Sequence, residues 1–270
     1  MMPSPQHLWV VLRTCDRVSL SSDRIVAKDQ CIARCLNSLV QSLDNNTTMP
    51  WTLKIIDDAS SDATRDTIAK IAPMADVSWL EARDDQHLNA RQRSRYSVAQ
   101  AYDYIYQRPT DDLVYVVEDD YLHYPNSIDV MLQAWFYFTS WMSMKSVGIY
   151  PQDFQQLHAS PYHKFNSTYV KACNTLIGPD RYYRTTWYTQ ETFLLPAWTF
   201  HDYRGDFDSL LTIGDHPGLW EGNTISQVWE RPDVVMLMPM PTIAIHVSQR
   251  EDIPFYCGDF EKLWHDNQVS

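Results

Sequence analysis

Glycine is scarce: only 7 of 270 residues. So few glycines argue against a glycine-lined phosphate cradle. Lysine and arginine never run together, and the formal net charge is −12. Such a balance disfavours non-specific binding to nucleic acid or to an anionic membrane. Cysteine is limited to five residues, an odd number without metal-ribbon spacing. Cys31 and Cys35, four apart on an expected helix, supply too few ligands for zinc, so reduced thiols and a cytoplasmic location are expected. The first residues, MMPSPQHLWVVLRT, lack the charged start and long apolar run of a signal peptide. No apolar stretch is long enough to cross a bilayer, and no membrane insertion is expected. The sequons at Asn45, Asn46 and Asn166 then carry no message.

What is present points to a soluble globular chain. A hydrophobic fraction of 44% and a charged fraction of 21% are ordinary. The length suits one substantial core. Ten Trp and sixteen Tyr offer amphipathic rings for stacking as well as packing.

In chain order, Leu8–Leu12 (LWVVL) reads as a buried parallel strand closed by the polar turn Arg13 to Arg17. A helix is expected from about Lys28 to Leu43, with Ile32, Leu36, Leu39, Val40 and Leu43 on one face. A second strand, Leu53–Ile56, ends in Asp57-Asp58 and leads into a helix carrying Ile68 and Ile71. A third strand near Val77–Leu80 and a helix near Arg91–Gln107 precede the apolar run Leu113–Val117. Strand and helix alternate throughout, which is the pattern of a doubly wound α/β sheet. Beyond Pro125, Asn126-Ser127 can cap a further helix, while Val147–Tyr203 reads as irregular and aromatic, fit to shape an acceptor pocket. Short strands are expected at Val234–Met238 and Ile243–Val247, a short helix at Asn223–Trp229, and a surface tail over 251–270 anchored at Phe255-Tyr256. One domain of residues 1–250 is expected, with a nucleotide-sugar-binding half at 8–125 and an acceptor half at 126–250.

The stretch LVYVVEDDYLHYP, Leu113 to Pro125, runs an apolar strand into Glu118, Asp119 and Asp120. Ionised carboxylates persist at a buried strand end only when paired or bound to a cation. Ligands of doubly wound sheets bind beyond the C-terminal strand ends. Three of those ends are polar here: Thr14 to Arg17, Asp57-Asp58 and Glu118 to Asp120. Their convergence points to a divalent cation and the phosphates of an activated sugar.

Ile55 to Thr64 (IIDDASSDAT) resembles the DDGSTDGT signature of family 2 glycosyltransferases with the GT-A fold. The segment from Asn89 through Arg91 to VVEDDY resembles that family's route to its DxD motif. Cys15-Asp16-Arg17 and Glu118-Asp119-Asp120 are similar to motifs of the Golgi N-acetylglucosaminyltransferases that begin N-glycan branching. The likeness spans roughly residues 8 to 130 and is scattered beyond. It implies a single α/β domain of Rossmann-like type, with a mixed, mostly parallel sheet flanked by helices. It further implies a nucleotide-diphosphate sugar donor and Mn²⁺ or Mg²⁺. By the same resemblance Asp58 receives the nucleotide base, with Asp57, Thr14 and Arg17 beside it. Asp120 then binds the metal, and Glu118 and Asp119 face ribose hydroxyls and the donor sugar. Of Arg91, Arg93 and Arg95, which alternate with polar residues ahead of a helix, one is expected to reach the diphosphate, with Arg91 the candidate, and the others to lie on the surface. His246, in TIAIHVSQR, matches the C-terminal histidine that completes the metal site in such enzymes, set against the plain alternative of a core histidine.

An inverting transfer also needs a carboxylate to take the acceptor's proton. The family supplies the aspartate of an xED motif; in the matching stretch, Leu219 to Ser226, Gly222 stands in its place. Glu221 and Asp215 are the two candidates for the base. Two other readings stay open: a nucleotidyltransferase that makes the sugar nucleotide, and a catalytically silent protein that keeps the pocket. The first counts on a glycine-rich loop after strand one, whereas RTCDR has no glycine. The acceptor, whether glycan, small molecule, protein or modified nucleic acid, is not readable, nor is the oligomeric state.

Overall fold

The structure, a computed structural model, describes residues 4–17, 27–82, 90–152, 173–187, 189–212, 224–247 and 259–269. Its first half alternates as the periodicity requires: β1 (Leu8–Thr14), α1 (Lys28–Asp44), β2 (Trp51–Asp58), α2 (Asp62–Ile71), β3 (Asp76–Leu80), α3 (Ala90–Ile105) and β4 (Leu113–Glu118). β1 reads LWVVLRT and is buried almost throughout, as a central strand covered on both faces must be. The second half continues with β5 (Tyr121–His123), α4 (Ser127–Trp141), β6 (Ser146–Ile149), β7 (Thr175–Ile177), β8 (Tyr182–Thr186) and β9 (Phe193–Pro196). It closes with α5 (Ala197–Asp202), α6 (Arg204–Thr212), α7 (Ser226–Trp229), β10 (Val234–Met240), β11 (Ala244–His246) and α8 (Phe260–Asp266).

Nine strands form one sheet in the order β3-β2-β1-β4-β9-β6-β10-β8-β7. β1 pairs in parallel with β2 on one side and β4 on the other, so that Thr14 lies level with Asp57 and Arg13 with Glu118. That register brings the three polar strand ends to one edge of the sheet. β9 runs antiparallel between β4 and β6, and β8 antiparallel to β10. The sheet is thus mixed and mostly parallel, with helices packed on it in a single α/β domain. Phe193–Pro196 falls inside the stretch read from sequence as irregular; its four residues FLLP are wholly buried between two strands, and so short a run carries no period.

A second, two-stranded sheet joins β5 to β11, pairing Tyr121 with His246 and His123 with Ala244. This ribbon extends the end of β4 and has its own small core of Cys31 and Cys35 from α1, Leu122, Ile245, Val247, and Phe260, Leu263 and Trp264 from α8. Where a surface tail is expected, residues 260–266 are therefore a packed helix, and the expected anchor Phe255-Tyr256 lies outside the described residues. Its apolar residues at positions 260, 263 and 264 fall on one helical face, a pattern one turn too short to stand out in the sequence. Arg34 of α1 lies over the Trp264 ring at 4.5 Å and donates to the Trp264 carbonyl at 2.6 Å. No helix among the described residues is long and apolar enough to cross a membrane.

Trp264 is the largest apolar side chain under the ribbon and is 7% exposed. Trp264→Ala should lower the unfolding free energy by about 3 kcal/mol, read from the urea midpoint at an unchanged denaturant slope.

Candidate donor-binding and metal site

The strand ends are cross-linked by their own polar groups. Asp57 is fully buried. One oxygen accepts from Thr14 Oγ1 at 3.0 Å, the other from the Ser60 N–H at 3.0 Å and Arg65 Nε at 3.1 Å. Asp57 and Thr14 thus fasten β1 to the β2–α2 turn. Asp58, next in the chain, accepts from Arg17 Nη2 at 3.3 Å, while its carbonyl accepts from Arg17 Nε at 3.2 Å. Asp16 takes the Ser61 hydroxyl at 2.6 Å and the Ser61 N–H at 3.0 Å. Burial works to raise the Asp16 carboxyl, but the hydrogen bonds from Ser61 and Thr64 outweigh it and hold the group below the ordinary aspartate value. The turn places Ala59 at φ 56°, the left-handed region. Ala59 occupies the position that is glycine in the DDGSTDGT signature, and the geometry explains why glycine belongs there.

The acidic triplet divides three ways. Glu118 is 30% exposed and accepts from Arg13 Nη2 at 3.4 Å. Its own N–H donates to Thr192 Oγ1 at 3.1 Å. Arg13 is buried and is also paired with Glu191, which in turn accepts from the Tyr102 hydroxyl at 3.2 Å. Burial opposes the Arg13 charge, yet Glu191 and Glu118 hold the guanidinium protonated, above its ordinary range. Asp119, expected to face the donor, has both oxygens engaged by protein donors: Lys28 Nζ on one and the Cys15 N–H, at 2.9 Å, on the other. Asp120 lies beside the ribbon, with Oδ2 3.3 Å from His246 Nε2. The carbonyl of Asp120 accepts from the Val247 N–H at 2.8 Å, so the β5–β11 pairing itself carries His246 to the strand end.

His246 is held firmly. Its backbone N–H donates to Gln152 Oε1 at 2.5 Å, and its ring lies 5.0 Å from that of Tyr121 at 33°. The Tyr121 hydroxyl bonds to Gln190 Oε1 at 2.8 Å and to the Tyr150 hydroxyl at 2.6 Å. Two residues beyond Tyr121 in β5, His123 is buried with Nδ1 3.0 Å from the Tyr121 carbonyl and Nε2 2.8 Å from the Tyr115 hydroxyl. A carbonyl only accepts, so the proton sits on Nδ1 and the tyrosine donates to Nε2. Burial pushes the His123 imidazolium pKa down to about 3.

The Asp120–His246 pair fits a divalent ion. Two ligands at the 2.0–2.1 Å typical of magnesium sit about 3 Å apart when they occupy neighbouring octahedral positions. Among the described residues no group of three or more His, Cys, Asp or Glu side chains is arranged to hold a metal. An ion at the pair would need oxygens from water or a substrate, as magnesium bound with phosphates usually has.

The structure thus brings together Thr14, Arg17, Asp57, Asp58, Glu118, Asp119, Asp120 and His246 at one sheet edge. Arg91 falls in the first turn of α3, with its side chain outside the described residues. Glu221 and Asp215 also lie outside them. Sequence reasoning missed Lys28, Glu191 and Gln152. Glu191 carries a signal like that of the triplet, a charge one residue removed from the apolar run FLLP; Lys28 and Gln152 carry none.

The fold and this edge define an α/β domain with acidic strand ends gathered at one side of its sheet. Residues 27–190 match the model of glycosyl transferase family 2, more than half of the chain. The protein belongs to that family. Similar solved structures include S. aureus TarS 1–349, at 12% identity and TM-score 0.48, covering 87% of this chain and 60% of that one. The galactosyltransferase LgtC, in complex with donor and acceptor sugar analogues, aligns at 12% identity and TM-score 0.43, covering 84% and 72%. A 4-diphosphocytidyl-2C-methyl-D-erythritol synthase aligns at 9% identity and TM-score 0.44, covering 97% and 98%. The chain spans 36% to 60% of the TarS chains it matches. No curated protein matches by sequence.

Two outcomes follow from the site's local geometry. Ala59→Gly relieves the left-handed strain and should raise stability by about 0.5–1 kcal/mol, read by thermal or urea unfolding. His123 has a lower pKa folded than unfolded, so the unfolded chain binds the extra proton between pH 6.5 and about 3. Stability is then lost as pH falls through that window, at up to about 1.4 kcal/mol per pH unit. The gap between wild type and His123→Gln should therefore shrink from pH 6.5 to pH 5, and a constant gap would contradict the assignment.

Proposed function

We propose that the protein is an inverting, metal-dependent glycosyltransferase that moves a sugar from a nucleotide-diphosphate sugar to an acceptor hydroxyl. The observation that carries this reading is the 3.3 Å approach of Asp120 Oδ2 to His246 Nε2 at the end of β4, level with Asp58 and Arg17. Family membership supplies the reaction class, and the strand-end chemistry supports the donor type.

In this reading Asp58 accepts from an N–H of the base and Arg17 donates to a base carbonyl. Thr14 and Asp57 act behind them by fixing the two strand ends to each other. Glu118, the exposed member of the triplet, meets hydroxyls of the ribose or the donor sugar, oriented from beneath by Arg13. Asp119 shapes the corner through Lys28 and Cys15, and Arg91 is the candidate to meet the diphosphate. Asp120 and His246 would hold Mn²⁺ or Mg²⁺, which when bound offsets the negative charge of a departing diphosphate. Glu221 or Asp215 takes the proton of the acceptor hydroxyl as its oxygen attacks the anomeric carbon and the nucleotide diphosphate leaves in line.

The test is a Mn²⁺-dependent turnover and binding assay over a panel of sugar nucleotides. Asp120→Ala should abolish Mn²⁺-dependent donor binding, and undiminished binding in that variant would sink the metal assignment. Glu221→Gln and Asp215→Asn should both keep donor binding, with transfer lost only in the variant of the true base. Formation of pyrophosphate and a sugar nucleotide from a nucleoside triphosphate and sugar 1-phosphate would instead identify a nucleotidyltransferase. Donor binding without turnover on any acceptor would identify a silent pocket.

A further inference from the structure

Lys28 opens α1, and its ammonium bonds to Asp119 at the core of the acidic corner. Only 8% of the lysine side chain and 10% of the aspartate side chain are exposed. Few lysines are buried so deeply, and those that are require a partner. The pairing is enforced from both sides. On the carboxylate, the second oxygen is taken by the Cys15 N–H at 2.9 Å. On the helix, the next turn is seated under the same strand end, with the Cys31 thiol 3.9 Å from the Asp119 carbonyl and 4.0 Å from Cys35 Sγ. The ammonium therefore cannot leave Asp119 without either breaking the first turn of α1 or stranding a buried charge.

We propose that Lys28 is the resident counter-cation of Asp119 within the acidic triplet and sets the affinity of that corner for a divalent ion. By occupying Asp119 it removes one carboxylate from reach of a metal and keeps a fixed positive charge next to the Asp120–His246 pair. This inference rests on the donor-site reading above. The electrostatics agree: burial alone would discharge Lys28, but Asp119 and then Asp120 hold it protonated, above the ordinary lysine value. A buried charge is screened little by salt, so its repulsion of an incoming dication persists at physiological ionic strength. The consequence is a corner that stays folded without metal and binds a dication weakly until a diphosphate adds its own negative charge.

The experiment titrates Mn²⁺ alone onto the full chain, following free Mn²⁺ by electron paramagnetic resonance, with no substrate and no turnover. Lys28→Met keeps the aliphatic stem and removes the charge. It should tighten Mn²⁺ binding by ~10-fold or more, and adding Asp119→Asn to it should return the affinity towards that of the wild type. Lys28→Arg, which keeps the charge, should leave the affinity near the wild-type value. Should Lys28→Met fail to fold by circular dichroism, Asp119→Asn alone carries the test. It leaves Lys28 uncompensated and should weaken Mn²⁺ binding by ~10-fold. Unchanged or weaker binding in a folded Lys28→Met, or unchanged binding in Asp119→Asn, overturns the proposal. If wild type shows no measurable binding, its appearance in Lys28→Met supports the role of Lys28, and its absence there overturns it. Asp120→Ala separates the two readings: binding that survives it defeats the metal assignment itself. Binding lost in Asp120→Ala but unmoved in Lys28→Met defeats only the inference about Lys28.

Discussion

The constraint on which this structure turns is the desolvation of charge at the ends of β1, β2 and β4. Each of those strands is covered on both faces, and each terminates in ionisable groups that water reaches poorly. Arg13, Asp57, Asp58, Asp119 and Asp120 are all less than a tenth exposed. A charge in that position is tolerated only with a partner at hand. The fold answers with Thr14 and Arg65 for Asp57, Arg17 for Asp58, Lys28 for Asp119, and Glu118 with Glu191 for Arg13. These bonds tie the three strand ends into one rigid platform. Rigidity of this kind is what the proposed site would need to hold a diphosphate and a cation in fixed relation.

A second element completes the platform from far along the chain. The ribbon of β5 and β11 does for His246 what the parallel register does for the carboxylates, placing it by backbone pairing. Behind it, α8 and the thiols of α1 form an apolar backing, so the histidine is held by packing on one side and by Gln152 and Tyr121 on the other. The same helix α1 that supplies Cys31 and Cys35 to this backing presents Lys28 to Asp119. Acidic corner, ribbon and helix α8 are consequently one mechanical unit.

Much of the first half of the chain is legible from residue pattern. The alternation of short apolar runs with amphipathic stretches marks β1 to β4 and α1 to α3, and the polar residues closing each run mark the binding edge. The chain beyond residue 125 reads poorly for a physical reason. Phe193–Pro196 is too short to show a period, and its burial comes wholly from β4 and β6 on either side. Helix α8 presents three apolar residues in seven, which only the underside of the ribbon turns into a buried face. The pairing of Asp57 with Thr14, rather than with a ligand, is likewise invisible in the string Asp57-Asp58, since two adjacent side chains of a strand point to opposite faces.

By itself the sequence determined the alternating α/β character, the acidic strand ends and the motifs that tie the chain to its family. These are local properties, set by periodicity and by residue chemistry over a few positions. Only the tertiary structure decided which side chain each carboxylate of the triplet meets: Glu118 with Arg13, Asp119 with Lys28, Asp120 beside His246. The three residues are neighbours in the chain, but they leave the end of β4 towards different elements. Their partners come from β1, α1 and β11, and it is strand register and helix packing, not sequence proximity, that bring those within a few ångströms.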